Sequence, residues 1–251
     1  MIGLGTLVNV ATIIGGSAIG VLLGSRLPEK TNRTVTEALG LLTLVLAGLN
    51  LVSLTDKGFV TAAGQVGTFM IVIFAMLFGT ITGSLLGIER RLESFGGWLQ
   101  KRLSRGKTQS SEARERFITG YVDASLIFAI GPMAILGSIA DGTDHDPNTL
   151  IIKAILDGFA CIAFAASLGW GVAASSITVG LWQGLVTIVA AFAGAFIPGA
   201  MIAAITATGG VLMLAISLRL LNLKPIAVAD MLPALAFAPL LTWGVSAFFG
   251  N

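Results

Sequence analysis

A nine-residue pattern with glycine at every fourth position closes two of the most apolar runs in this chain. The first copy is Gly16-Ser17-Ala18-Ile19-Gly20-Val21-Leu22-Leu23-Gly24, the second Gly79-Thr80-Ile81-Thr82-Gly83-Ser84-Leu85-Leu86-Gly87. Residues four apart share one face of a helix, so each copy draws a flat stripe along one side. In water such glycines weaken a helix; in lipid they let two backbones come close enough for dispersion contact to hold them together. Gly16, Gly20, Gly24, Gly79, Gly83 and Gly87 are therefore expected to be helix-packing positions in an all-α bundle of transmembrane helices. The same faces are expected to support a homo-oligomer.

Composition agrees with a membrane solvent. Of 251 residues, 55% are hydrophobic and only 11% charged, against roughly a quarter charged in a water-soluble domain. Such a chain cannot cover a water-facing surface with polar groups, and residues 1–251 read as one integral-membrane domain. The net charge of +2 comes from basic residues in loops rather than along one face, so no nucleic-acid partner is expected. Cys161 is the single cysteine and forms no intrachain disulfide. The first apolar stretch lacks a basic leader and is followed by Arg26, Lys30 and Arg33, so it is expected to stay as a membrane span.

A span needs about 20 mostly apolar residues. Eight are expected, at 3–24, 36–55, 65–88, 117–139, 150–178, 181–199, 201–222 and 228–248, or seven if two of the later ones merge. The divisions between 150 and 222 rest on Gly169-Trp170-Gly171, Ser175-Ser176 and Pro198-Gly199, which are turn signals. With both termini outside the cytoplasmic membrane, 13 of the 15 Lys and Arg residues fall inside, all but Lys57 and Lys153, as the positive-inside bias requires. The loop Asp141–Asn148, with three aspartates and no Lys or Arg, then lies outside. The long cytoplasmic loop at 88–116 carries Leu92, Phe95, Trp98, Leu99 and Leu103 at helical spacing among Arg91, Lys101, Arg102 and Arg105. That pattern predicts a helix in the membrane interface, in contact with anionic lipid.

Spans two and seven echo each other at an offset of 170 residues. Thr36 pairs with Thr206, Gly40 with Gly210, and Leu42, Leu44 and Leu51 with Leu212, Leu214 and Leu221. The two spans run in opposite directions, the signature of an inverted repeat.

Few side chains in the apolar runs carry chemistry. Asp157 lies about two turns inside span five, where an ionised carboxylate costs roughly 2.5–3.5 kcal/mol and needs a partner or a wet cavity. Lys153, one turn earlier on the same face, is the partner at hand. Asp123 enters span four from the cytoplasmic side, about 10 Å from the level of Asp157, too far for a shared-proton protease dyad. The only histidine is His145, and Asp144-His145-Asp146-Pro147-Asn148 lacks the glycine and glutamate of a calcium loop. No metal, cofactor or enzyme activity is expected. Backbone breaks are the better lead. Gly131-Pro132 interrupts span four just before Ser138, Thr206-Ala207-Thr208-Gly209-Gly210 opens span seven, and Pro233 and Pro239 interrupt span eight. Lipid cannot satisfy the backbone groups such breaks free, and discontinuous helices build midplane solute sites in transporters.

From Gly131 to Ser138 and from Lys153 to Phe159 the chain resembles the YdfK/YqgA family of bacterial inner-membrane proteins. Gly5-Thr6-Leu7-Val8-Asn9, Leu168-Gly169-Trp170-Gly171-Val172, Gln183-Gly184, Thr206–Gly210 and Leu232-Pro233-Ala234-Leu235 carry the resemblance further, in order along the whole chain. It implies a bacterial integral membrane protein and brings no assigned catalytic or binding residues. Asp123 departs from the family's pattern, which implies an uncharged residue there.

The expected function is a transporter or channel for a small solute or ion, with a midplane site. Its expected residues are Asp157, Gly131, Pro132, Ser138, Asn9, Gln183, Thr206, Gly209 and Gly210. The rival expectation is a scaffold or sensor that moves nothing and signals through the basic loop.

Overall fold

A computed structural model describes residues 2–25, 28–103, 110–130, 132–193 and 198–249. The described residues form eleven α-helices. In order these are α1 (Leu4–Gly24), α2 (Glu29–Leu51), α3 (Lys57–Ala63), α4 (Gln65–Leu86), α5 (Ile88–Leu103) and α6 (Ser111–Ala129). Then come α7 (Pro132–Thr143), α8 (Asn148–Leu168), α9 (Gly171–Ala193), α10 (Gly199–Leu220) and α11 (Ala234–Phe249). Short 3-10 turns follow α2 (Val52–Thr55) and precede α11 (Ala229–Met231). The helices pack as two compact units rather than one: residues 1–39 with 92–195, and residues 40–91 with 196–251.

The first unit is organised by the first glycine stripe. A Cβ built on Gly16, Gly20 or Gly24 would fall on the carbonyl oxygens of Gly158, Ile162 and Ala166 respectively. Both sets of numbers rise by four, so α1 and α8 run parallel with their backbones in contact. Gly169 then adopts a left-handed conformation (φ 75°) open to glycine at little cost, ends α8 and turns the chain back into α9. This corrects the expected boundaries of spans five and six: the turn lies at 169–170, not near 180. Ser175 does not break the chain, because its hydroxyl donates to the Val172 carbonyl at 2.7 Å and the helix continues.

The α6–α7 pair decides whether the candidate spans number seven or eight. Seven single helices are long and apolar enough to cross a membrane; α6 and α7, bent by 61°, form the eighth candidate. Gly171, at the start of α9, meets the Phe117 carbonyl of α6, while Gly142 of α7 meets the Thr187 carbonyl near the other end of α9. The two pieces together thus follow the length of α9, which gives up to eight crossings if the bent pair is counted as one.

The second unit uses the other stripe differently. A Cβ on Gly79 or Gly83 would strike the backbone of Ala234 or Asp230, so α4 runs antiparallel to α11. Gly87 is not a packing residue: it ends α4 in a left-handed turn (φ 61°) and faces open space. Both stripes are covered within the chain, which removes them as the face for self-association. A short unexpected helix, α3, is capped by Asp56, which accepts from the Phe59 N–H at 3.0 Å, and buries Phe59 fully. At the other end of α4, Glu89 and Asp230 cap each other. The Glu89 N–H donates to Asp230 at 2.8 Å, the Ala229 N–H donates to Glu89 at 2.6 Å, and Arg219 donates to Glu89 at 2.7 Å.

Thr206-Ala207-Thr208-Gly209-Gly210 does not interrupt span seven, contrary to expectation. Helix α10 runs unbroken through it, because the Thr206 and Thr208 hydroxyls donate to the Ile202 and Ala204 carbonyls one turn back, each at 2.8 Å. Span eight is interrupted at Pro233, between the Ala229–Met231 turn and α11, as expected; Pro239 does not interrupt it, because α11 runs on through that residue.

The spacing of about 170 residues that relates spans two and seven recurs in the helix starts. Helices α1, α2 and α4 begin at Leu4, Glu29 and Gln65, and α9, α10 and α11 at Gly171, Gly199 and Ala234, an offset of about 170 residues each time. A Cβ on Gly40 would meet Leu221 at 2.8 Å, and one on Gly210 would meet Leu51 at 3.1 Å. Gly40 corresponds to Gly210 and Leu51 to Leu221, so these are one contact seen from either side of a local two-fold. Val10 of α1 touches Gly180 of α9, at 2.8 Å from its Cβ position; these residues correspond to each other and sit at their own crossing.

Gly20→Val places a side chain where Ala165 Cβ lies 2.9 Å from the added Cβ and should cost about 1–3 kcal/mol through overpacking. Gly15→Val, one stripe away with open space around it, should be neutral. Thermal stability of the two detergent-solubilised variants checks this; equal stability would show that the α1–α8 backbone contact does not matter.

Candidate functional site

Four buried polar residues of the first unit, Asn9, Lys153, Asp157 and Gln183, gather where α1, α8 and α9 meet. Lys153 and Asp157 sit one turn apart on α8 and make a direct ion pair, with the residues 7% and 8% exposed. That spacing brings their side chains together whenever the segment is helical, and the pair is neutral, which lowers its cost at membrane depth. Gly5 of α1 lies against Leu150 of α8 and Gly158 against Thr12, so the parallel register sets Asn9 between those levels, beside the ion pair. Asn9 lies close to the Asp157 carboxylate and donates from Nδ2 to Gln183 Oε1 on α9 at 3.0 Å. Asn9 and Gln183 are fully buried. Asn9 Oδ1 and Gln183 Nε2 have no hydrogen-bond partner among the described residues, leaving one acceptor and one donor beside the ions.

Three of the expected residues therefore converge: Asp157, Asn9 and Gln183, joined by Lys153. The others do not. Ser138 is buried but donates to the Ala134 carbonyl of its own helix at 2.6 Å. Thr206, Gly209 and Gly210 belong to α10 in the other unit, where Gly210 packs against Asn50 and Leu51 of α2. Gly131 lies outside the described residues. Pro132 opens α7, and Ile130 before it leaves the helix (φ −89°, ψ 115°), so the last carbonyls of α6 and the first N–H groups of α7 lack intrahelical partners.

One residue of this region escaped sequence reading. Asp141, assigned to an outer loop, lies in α7 and is fully buried. It accepts from the Gly5 N–H at the start of α1, at 3.2 Å, where a carboxylate complements the positive end of the helix. Its place at the end of an apolar run hid it, because an aspartate there reads equally well as a loop residue. Asp123 is also fully buried, on α6.

These features define a polytopic α-helical membrane protein with a buried charged and amide cluster at a crossing of related helices. Residues 4–243 match the model of a family described as a protein of unknown function, DUF554, and the chain belongs to that family. It is 29% identical over 246 residues to the "Uncharacterized protein YqgA" of Escherichia coli (strain K12), covering 98% of this chain and 99% of that one. It is 26% identical over 246 residues to the "Uncharacterized membrane protein YdfK" of Bacillus subtilis (strain 168), covering 97% of each. No solved structure matches the chain.

Lys153→Met leaves Asp157 buried without its ion partner and should destabilise the fold by about 3–5 kcal/mol, whereas Lys153→Met with Asp157→Leu should recover most of that loss. Monodispersity and melting temperature of the single and double variants measure the difference. A double variant no better than the single would mean that the two charges are not coupled.

Proposed function

We propose that this protein moves a small solute or ion across the bacterial cytoplasmic membrane, with its site in the first unit at Asn9, Lys153, Asp157 and Gln183. The observation that carries this reading is the Asn9–Gln183 hydrogen bond beside the Lys153–Asp157 pair, one to three residues from the Val10–Gly180 crossing of two repeat-related helices. Transporters built from inverted repeats place their sites at the repeat interface, between discontinuous helices, and α6–α7 supplies such a helix here. Polar groups with unused hydrogen-bonding capacity are costly inside a membrane protein, and a solute that satisfies them gives a reason for their presence. In this mechanism Asp157 binds a cation as Lys153 gives up its proton, so the site keeps the same net charge throughout. Asn9 Oδ1 and Gln183 Nε2 orient the polar part of the solute.

Two parts of the setting belong to the same proposal. Both termini lie outside, which keeps all but two of the Lys and Arg residues on the cytoplasmic side. Helix α5 rests in the cytoplasmic membrane interface: it packs through Gly96, Leu99 and Gln100, leaving Phe95 and Trp98 exposed with Arg102 over the Trp98 ring. The chain acts without catalysis or nucleic acid.

Proteoliposome measurements test transport directly, using a pH-sensitive dye and a sodium-sensitive dye inside the vesicles. Asp157→Asn and Gln183→Leu should each lower flux by about tenfold or more, equivalent to about 1.4 kcal/mol, while removal of residues 104–109 should leave it intact. Wild-type rates from both folded site variants would discard the site. Orientation is read separately: His145→Cys in a Cys161→Ser background should react with a membrane-impermeant maleimide added to intact cells.

A further inference from the structure

We infer that a binding site for one alkali cation lies where α1, α7 and α9 meet, with Asp141 as its charged ligand. It rests on the transport reading only in making that cation the coupling ion; the binding site shares Asn9 alone with the proposed transport site, and its charged ligand and two hydroxyls are separate.

Four buried side-chain oxygens have no hydrogen-bond partner among the described residues: Asp141 Oδ1, Thr6 Oγ1, Asn9 Oδ1 and Thr187 Oγ1. Each residue is more than nine-tenths buried. Their placement follows from the contacts around them. The Gly5 N–H donates to Asp141 Oδ2, which sets Asp141 beside Thr6. Thr6 and Asn9 are three apart and share a face of α1. Asn9 bonds Gln183 on α9, and Thr187 lies one turn beyond Gln183. Because α9 runs antiparallel to α1, that turn returns Thr187 to the level of Thr6. Gly142 closes the circle, since a Cβ there would strike the Thr187 carbonyl and Asp141 is its neighbour in the chain.

The chemistry of these donors selects the ion. Carboxylate, hydroxyl and amide oxygens are hard ligands that suit alkali and alkaline-earth cations rather than softer metals. Among the described residues no three His, Cys, Asp or Glu side chains converge, so the site offers one formal negative charge, and a divalent ion would leave a buried net charge. Lys153 is committed to Asp157, and the start of α1 gives Asp141 only a partial positive charge. The Gly5 N–H bond to Oδ2 fixes the carboxylate and leaves Oδ1 free to ligate, as hydrogen bonds to ligating carboxylates do. An ion here would clamp α7 to α1 and α9, one turn from the Asn9–Gln183 bond.

The test is cation-dependent thermal stability of the purified full-length protein in nanodiscs. Lithium, sodium and potassium chloride are each titrated against choline chloride at constant ionic strength. One of the three should raise the melting temperature saturably, Asp141→Asn should abolish the rise, and Thr187→Val should weaken the apparent affinity by about tenfold. The inference is overturned if none of the cations stabilises the wild type beyond choline, or if Asp141→Asn keeps the same saturable rise. Should Asp141→Asn fail to fold, Thr6→Val and Thr187→Val decide, and unchanged affinity in both overturns it. Stabilisation without flux would keep this site and remove the transport reading; flux with no cation-dependent stabilisation would do the reverse.

Discussion

The contact between the α1 and α8 backbones sets the geometry of everything polar in the first unit. Gly16, Gly20 and Gly24 bring α1 so close that any side chain in their place would lie on a carbonyl oxygen of α8. Lipid offers no hydrophobic force to press two helices together, so close approach of small residues supplies the attraction. Its functional consequence is register. Parallel packing sets Asn9 beside Asp157, and the left-handed turn at Gly169 returns the chain so that Gln183 meets Asn9 from the third side.

Polar groups at this depth survive through mutual compensation. Lys153 and Asp157 cancel in charge, Asn9 and Gln183 share an amide hydrogen bond, and Asp141 closes the open N-terminus of α1. The amide pair and Asp141 each leave polar atoms unused among the described residues: Asn9 Oδ1, Gln183 Nε2 and Asp141 Oδ1. Many hydroxyls elsewhere behave differently: Ser138, Ser175, Thr206, Thr208 and Thr242 all turn back onto their own helix carbonyls. Thr6 and Thr187 do not, and neither do Ser17, Ser125 and Ser217; what distinguishes Thr6 and Thr187 is their place beside Asp141 and Asn9.

Sequence spacing exposed the features governed by a local period. The glycine stripes, the Lys153–Asp157 pair and the long apolar runs are legible because a helix imposes their geometry wherever it forms. The break at Gly131-Pro132 was legible because proline cannot continue the ladder. Ser175-Ser176 and Thr206–Gly210 misled for the opposite reason. Serine, threonine and glycine are breakers in water, but in an apolar helix the hydroxyls bond one turn back and glycine serves packing. Gly87 looked like the third member of a stripe, yet at a helix end the same residue is a left-handed cap.

The amino-acid order alone determined the solvent, the helical class, the seven to eight candidate crossings and the pairing of two ions on one face of α8, since each depends on hydropathy or on contacts within a turn or two. Tertiary structure decided which stripe meets which backbone, that α6 and α7 bend by 61° against each other, and that Asp141 belongs at the start of α1, 136 residues away in the chain. Those outcomes depend on register between distant helices. Register is set by the fit of surfaces in three dimensions, and no period along the chain encodes it.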